Sequence, residues 1–322
     1  MPNLTYHLSE NILNNLKEID KLRIEILTTP IKPNIEVKLK WEADINKTYW
    51  GLNLADNPLT KSQISKLLSN EPPKRLSNHQ KEVIDYITTL RVIRNIFTAN
   101  TVNLTTRDVL NIYDLSCKNV YGSSLNYYKS KEELVEKILN FIETGKDHPV
   151  IKAGLLQIEI IKLSPFENAT GRVARLLSHL ILAKYGYDIR GLLILEDYYR
   201  EDLVGLKEAT GSIEKYEIQH GYKNASFWLE YFTNGVKRNM QRLQNEIKPE
   251  KQLQQRNNHW KLTERQKQIF EILDNPNIKM TNKSVQKMFK ISQITASRDL
   301  SKMVSLGLLL SHGKGRSVFY TR

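Results

Sequence analysis

Apolar residues recur at helical spacing along most of this chain, and that periodicity limits the folds open to it. Between Leu4 and Leu27 they share one face of a predicted amphipathic helix. The same spacing continues from Asn78 to Leu243. It predicts helices at residues 78–97, 105–116, 131–143, 149–163, 171–184, 197–209 and 226–245. The fold class is therefore predicted to be mainly α, with an all-helical body.

One short stretch departs from the helical pattern. Between Tyr121 and Tyr128, glycine, serine and asparagine lie among aromatic residues, a composition typical of a small hairpin. We therefore expect a small flap hairpin on the helical body.

Length and composition predict how the chain divides. With 322 residues it is expected to form two or three domains. Polarity rises from Gln241 to Asn258, where a helix end is expected to pass into a linker. The predicted divisions are an N-terminal helical region at 1–75, a helical domain at 76–245, a linker at 246–258 and a C-terminal domain at 259–322.

The sequence gives no sign of export or of membrane insertion. No apolar stretch approaches the ~20 residues of a membrane-spanning helix. The first residues, MPNLTYHLSENILNNLKEID, lack the apolar core of a signal peptide. The only cysteine is Cys117, so a disulfide framework is excluded. We expect a soluble, cytoplasmic protein with no membrane partner.

The last 64 residues, His259 to Arg322, carry the pattern of a small DNA-binding domain. Thr263 is predicted to cap a first helix, a second begins at Thr281 or the next residue, and Ser292 caps a third. Two apolar runs then flank a His-Gly-Lys-Gly-Arg tip, which predicts two strands. The pattern is that of a helix-turn-helix followed by a wing.

Charge favours DNA as the partner of this domain. Of the formal net charge of +13, these 64 residues carry +8, which leaves +5 for the other 258. The third helix is expected to enter the major groove. The segment SQITASRDLSKMVSLGLLL also resembles bacterial winged-helix regulators. The candidate contacts to double-stranded DNA are Gln293, Ser297, Arg298, Ser301 and Lys302 on the helix and Lys314 and Arg316 on the wing. A winged helix used only for protein contacts is the alternative.

A second motif lies in the helical body, at His148 to Leu177, with the sequence HPVIKAGLLQIEIIKLSPFENATGRVARLL. It resembles the signature of the Fic (Fido) family, H-P-F-x-D/E-G-N-G-R-x-x-R after an apolar helix. The match includes Pro165-Phe166, Gly171, Arg172 and Arg175. The whole layout resembles multidomain Fic proteins that have an N-terminal helical region, a Fic core and a winged-helix DNA-binding tail.

The resemblance implies transfer of AMP from ATP to a protein hydroxyl, but the residues for the chemistry are replaced. Ser164 stands where the family has its histidine, and serine is too weakly basic to take a proton at neutral pH. The general-base contribution of ~100- to 10,000-fold is therefore missing, and no catalytic residue is assigned. Asn168, Ala169 and Thr170 replace the acid, the first glycine and the asparagine of the family motif.

The remaining residues still favour an anion, because a helix N-terminus and two arginines attract phosphate. The candidate nucleotide-binding residues are Asn168, Ala169, Thr170, Gly171, Arg172 and Arg175. No metal ligand is assigned, and ATP with weakly bound magnesium is the one cofactor left open, since the neutral side chain of Asn168 is a poor ligand for a hard cation. The alternative is that Arg172 and Arg175 form only surface or intramolecular ion pairs. His148 and His179 are expected to be structural.

Many Fic proteins also hold an inhibitory helix with a Ser/Thr-x-x-x-Glu-Gly/Asn pattern, whose glutamate pairs with the second motif arginine. In the resembling segment, from Glu42 to Gly51, Trp50 occupies the position of the glutamate. Trp50 cannot form that ion pair. Arg175 is therefore expected to be free for a ligand unless the indole covers it as a cation–π lid.

These features together predict a DNA-binding transcriptional regulator with a degenerate, pseudoenzyme Fic core that senses a nucleotide or contacts another protein. An active protein adenylyltransferase with an unrecognised base is the alternative. A third hypothesis keeps the core as a dimerisation scaffold, since readers of two-fold DNA sites are often homodimers.

Overall fold

The computed structural model describes residues 4–69, 75–97, 103–221, 223–248, 262–273, 278–305, 308–313 and 318–321. These residues belong to two compact units. The first combines Met1–Lys61 with Leu76–Lys248, and the second combines Ser62–Arg75 with Pro249–Arg322. The domain boundaries at residues 75, 245 and 258 stay a prediction.

The elements follow one another in a mostly helical order. They are β1 (Leu4–Thr5), α1 (Glu10–Thr28), α2 (Pro33–Asn53), α3 (Lys61–Ser69), α4 (Asn78–Phe97), α5 (Thr106–Tyr121), α6 (Leu125–Lys129), α7 (Glu132–Thr144), α8 (Pro149–Leu163), α9 (Thr170–Lys184), α10 (Leu195–Glu201), α11 (Leu203–His220), β2 (Lys223–Asn224), α12 (Ser226–Ile247), α13 (Glu264–Ile272), β3 (Met280–Thr281), α14 (Asn282–Phe289), α15 (Gln293–Ser305), β4 (Leu310–His312) and β5 (Phe319–Thr321). Elements up to α12 form the first unit, except that α3 beyond Lys61 belongs to the second.

Helices α8 and α9 form the centre of the first unit. Ten of the fifteen residues of α8 and eleven of the fifteen of α9 are buried, as is typical of helices enclosed on all sides. Helix α8 packs against α7, α9 and α12, and α9 also packs against α4 and α5. The loop between α8 and α9 carries the Fic-like motif, so a rigid core holds that loop from both ends.

Local sequence signals explain where the central helices begin. Pro149 takes the first position of α8, where its missing N–H costs nothing, and the His148 ring accepts a hydrogen bond from the Val150 N–H at 3.2 Å. Helix α5 begins with a capping box in which Thr105 and Asp108 exchange hydrogen bonds. Thr263 and Thr281 form capping boxes for α13 and α14, which confirms these two predicted helix starts.

The second unit combines short helices with a three-stranded antiparallel sheet of order β3-β5-β4. Its apolar core includes Ile269, Val285, Leu300 and Met303, which come from α13, α14 and α15. Asp299 is buried and accepts hydrogen bonds from Arg265 Nε and Gln266 Nε2, both at 2.6 Å. A carboxylate that the sequence analysis overlooked therefore ties α15 to α13.

The mainly α fold is confirmed. The predicted flap hairpin is wrong, because α5 continues through Tyr121 and α6 begins at Leu125. Tyr128 accounts for the short helix α6. Its side chain is 1 % exposed, because the turn of α6 places it against the helical body. The helix predicted at 197–209 is two helices, since Asp202 separates α10 from α11 and caps the Gly205 N–H at 2.9 Å.

Among the described helices, none has both the length and the hydropathy needed to cross a bilayer.

Two helical glycines give opposite expectations for stability. A Cβ added to Gly154 in α8 would lie 2.9 Å from Phe232 Cδ1 and 3.1 Å from Leu229 Cδ2 of α12, whereas one added to Gly211 in α11 would meet nothing within 4 Å. Both changes to alanine gain helix propensity, ~1 kcal/mol each. Only Gly154→Ala also crowds the core, at ~1–3 kcal/mol. In urea unfolding, Gly211→Ala should be the more stable variant, and equal stabilisation of the protein by both changes would contradict the packing described.

Candidate functional site

The motif loop leaves α8 and enters α9 through two residues in the left-handed region. Ser164 ends α8 at φ 47°, and Ala169 precedes α9 at φ 60°. The Lys131 ammonium donates to the carbonyls of Leu163 and Ser164 at 2.9 and 2.8 Å, which caps the end of α8. The backbone keeps a tight turn where the family motif has glycine, although an alanine costs about 1–2 kcal/mol in this region.

Phe166 anchors the loop to the core. It is 1 % exposed, and its ring stacks on Tyr113 at 4.4 Å and on Tyr128 at 5.3 Å between centroids. Stacked aromatic pairs add about 0.5–1.5 kcal/mol beyond the area they bury. Phe166 therefore fixes the position of the residues that follow it.

The side chains that should perform the chemistry have no suitable partners. Ser164 Oγ lies 3.5 Å from Thr170 Oγ1, a hydroxyl that cannot take its proton. Thr170 Oγ1 itself donates to the Phe166 carbonyl at 3.1 Å. Asn168 is exposed on the loop, and Gly171 is partly exposed at the start of α9. The loop has the shape of an anion-binding turn without a base.

Arg172 is committed to a buried ion pair. It is 2 % exposed, and its Nη2 donates to Glu82 Oε1 of α4 at 2.7 Å. Glu82 is 4 % exposed and also accepts from the Tyr121 hydroxyl at 2.8 Å and from Asn57 Nδ2 at 2.7 Å. Burial alone would raise the pKa of Glu82, but the hydrogen bonds and charge of Arg172 lower it below its ordinary value. A nucleotide-binding role for Arg172 stays a prediction that requires this pair to open.

Arg175 contacts the segment that resembles the inhibitory helix. Its Nη2 donates to the Gly51 carbonyl at the end of α2, at 2.9 Å. Among the described residues, the Lys61 ammonium lies over the Trp50 ring, at 4.7 Å from the ring centroid. Arg175 has a backbone carbonyl as its partner, so the expectation that it is free for a ligand is wrong.

Residues 87–182 match the model of the Fic/DOC family. The chain is therefore similar to the Fic/DOC family over this segment. The matched residues extend from α4 to α9 and include the motif loop.

Solved structures share the fold of this chain at low sequence identity. A Fic family protein from Desulfovibrio desulfuricans has 14 % identity and a TM-score of 0.63, over 99 % of this chain and 97 % of its own. A fragment of Fic-1 from C. elegans has 19 % identity and a TM-score of 0.56, over 72 % of this chain and 71 % of its own. A Fic domain containing signaling protein from Bacteroides thetaiotaomicron has 19 % identity and a TM-score of 0.52, over 74 % of this chain and 96 % of its own.

The two histidines near the motif loop have structural partners. His148 caps α8, and its Nε2 lies 3.1 Å from Asp20 Oδ1. His179 is buried, and its Nε2 lies 2.7 Å from Glu196 Oε1. Burial alone would raise the pKa of Glu196, but His179 and the nearby Lys47 lower it to about 2. Neither ring reaches Ser164 to replace the missing base.

The donor set of the motif loop does not fit magnesium. The described residues hold no group of three or more His, Cys, Asp or Glu side chains placed to bind a metal ion. Asn168 offers one neutral amide where a hard cation prefers carboxylates. The two arginines that would balance the charge of a nucleotide phosphate already have partners. Arg172 pairs with Glu82, and Arg175 donates to the Gly51 carbonyl.

The second unit exposes a polar face of α15. The five residues singled out on this helix are all exposed, namely Gln293, Ser297, Arg298, Ser301 and Lys302. Leu300 and Met303 face the core of the unit. Lys314 and Arg316 lie outside the described residues, so the predicted contacts of the wing stay a prediction.

We predict that the ion pair of the motif arginine is a major contributor to stability. Glu82→Gln leaves a buried guanidinium without a counter-charge, which should cost ~3–5 kcal/mol of unfolding free energy in urea denaturation. Glu133→Gln breaks the exposed pair with Lys137 and should leave stability almost unchanged, because solvent screens that pair. Replacing both partners, as Glu82→Leu with Arg172→Met, should recover much of the loss. Equal effects of Glu82→Gln and Glu133→Gln would contradict the structural role.

Proposed function

We propose that this protein is a DNA-binding transcriptional regulator whose Fic/DOC domain no longer transfers AMP. The observation that carries the proposal is the polar face of α15. Helices α13, α14 and α15 and the sheet β3-β5-β4 follow the order of a winged helix-turn-helix, in which the third helix enters the major groove. The five residues singled out on that helix, one arginine, one lysine, two serines and a glutamine, are all exposed, and Ile294 is exposed beside them.

The side chains of this face divide by chemistry into two roles on DNA. Arg298 and Gln293 have the forked donors and amide groups that recognise base edges in the major groove. Lys302 and the serines suit phosphate contacts, which position the protein and make its affinity depend on salt. The basic excess of residues 259–322 supports DNA rather than protein as the partner of α15.

Loss of AMP transfer rests on the side chains of the motif loop. Ser164 supplies no base, Asn168 supplies no carboxylate, and Arg172 is bound to Glu82. The proposal gives the Fic/DOC domain a sensing or interaction role in place of catalysis. Nucleotide binding at the start of α9 remains a prediction under this proposal.

We predict that the full-length protein transfers no AMP from labelled ATP to itself or to lysate proteins. Ser164→His alone should not restore labelling, because the metal ligand and the phosphate turn are also altered. Labelling is expected only when Ser164→His, Asn168→Asp, Ala169→Gly and Thr170→Asn are combined. The control combines the same four changes with Arg175→Ala, and it should show no labelling if the motif is responsible for the transfer. Robust labelling by the unaltered protein would establish the alternative, an active adenylyltransferase.

We predict that the full chain binds duplex DNA with strong salt dependence. Arg298→Ala with Lys302→Ala should weaken binding by about tenfold or more at moderate salt and lower the slope of log K against log salt by about 1–2. The matched control, Lys207→Ala with Lys215→Ala on α11, removes the same charge from the first unit and should leave affinity unchanged. Fluorescence anisotropy with a random duplex and with the DNA upstream of the gene measures both. If both double variants lost the same affinity for DNA, net charge alone would account for binding, which would contradict the role of α15.

A further inference from the structure

An exposed isoleucine lies on the otherwise polar face of α15. Ile294 is 72 % exposed, whereas the same helix buries Ala296, Leu300 and Met303 in the core of the second unit. The Ile294 side chain therefore contributes little to that core. Water surrounds an apolar group that contact with another apolar group would stabilise.

Ile294 stands where the third helix of a helix-turn-helix reads bases. It is the second residue of α15, and the first residues of such a helix contact base edges in the major groove. Ser297, Arg298 and Ser301 follow it after three, four and seven residues, which places the four side chains on one face of the helix. All four are exposed. Ile294 therefore belongs to the face by which α15 is proposed to bind DNA.

The start of α15 holds Ile294 in a defined position. Ser292 Oγ accepts a hydrogen bond from the Thr295 N–H at 3.2 Å, which caps the helix. Asn282 Nδ2 of α14 donates to the Gln293 carbonyl at 3.3 Å, so the first turn of α15 is also tied to α14. An isoleucine side chain has one strongly preferred χ1 rotamer in a helix. Little conformational freedom is therefore lost when Ile294 contacts a base.

The apolar character of Ile294 determines which base it suits. Every base edge in the major groove presents hydrogen-bond donors or acceptors, and thymine alone adds an apolar group, its C5-methyl. An isoleucine side chain pairs with no donor or acceptor. Against guanine, adenine or cytosine it would only remove water from a polar edge, which is costly. Against thymine, the methyl group and the isoleucine remove apolar surface of one another from water.

We propose that Ile294 selects thymine in the DNA site through apolar contact with the C5-methyl group of that base. The inference rests on the proposed function, because it assigns a base to the face of α15 that would bind DNA. Arg298 and Gln293 then read other base edges by hydrogen bonds, and Lys302 contributes charge toward phosphate. Ile294 is thus a residue that determines specificity.

Replacement of thymine by deoxyuridine tests the contact, because it removes the methyl group and leaves every hydrogen-bonding group of the base in place. The full chain first selects duplexes from a random pool, and each thymine of the enriched duplex is then replaced singly by deoxyuridine. Fluorescence anisotropy should show that replacement at one thymine or more weakens binding by about fourfold, as expected for one buried methyl group.

Variants of residue 294 separate this contact from general DNA binding. Ile294→Ala should weaken binding of the thymine duplex by about fourfold or more and should bind the thymine and deoxyuridine duplexes equally. Ile294→Val keeps a branched apolar side chain and should retain the preference for thymine. Neither change should unfold α15, because the position is exposed and does not contain glycine or proline in either variant. The matched control is Ile218→Ala on α11, where the isoleucine is 85 % exposed, and it should leave both affinities unchanged.

The outcomes distinguish this inference from the proposal of DNA binding. If the full chain binds duplex DNA but enriches no sequence, or if no deoxyuridine replacement weakens binding, Ile294 does not select thymine and DNA binding itself stands. An Ile294→Ala variant that prefers thymine by the same factor as the unaltered protein would assign the contact to another residue and would also overturn the inference. Absence of binding to any duplex would instead overturn both proposals.

Discussion

The buried ion pair between Arg172 and Glu82 is the interaction on which the arrangement of the motif depends. It joins α9 to α4 through side chains that are 2 % and 4 % exposed, and it also holds Tyr121 and Asn57 through the same carboxylate. Two charges removed from water are stable only while both are present. The ion pair therefore gives this arginine a structural role that does not depend on catalysis.

The shape of the motif loop and its chemistry are separable for a related reason. Its backbone is fixed by the Phe166 stack, by the Lys131 cap and by left-handed conformations at Ser164 and Ala169. None of these features needs a histidine or an acid. The contacts that position the loop are therefore independent of which side chains residues 164 and 168 carry.

Sequence periodicity predicted the helices because burial of one face repeats along the chain, as it does for α1 with Ile12, Ile19 and Ile26. It could not pair side chains from distant helices. Arg172 and Glu82 are 90 residues apart, and Arg175 meets Gly51 across 124 residues. One usable signal was missed: Glu82 adjoins Val83 and lies four residues before Tyr86, and both of these side chains are buried. A carboxylate among buried side chains requires a cationic partner, and the arginines of the motif are candidates for that partner.

Trp50 and Gly51, at the end of α2, take part in two different sets of contacts. The indole of Trp50 lines a cavity with Asp197, and the Lys61 ammonium lies over its ring. The Gly51 carbonyl then satisfies Arg175 with a neutral acceptor, so the arginine keeps a partner without an opposing charge. Two adjacent residues at the end of α2 thus serve separate contacts, Trp50 through its side chain at the cavity and Gly51 through its backbone at Arg175.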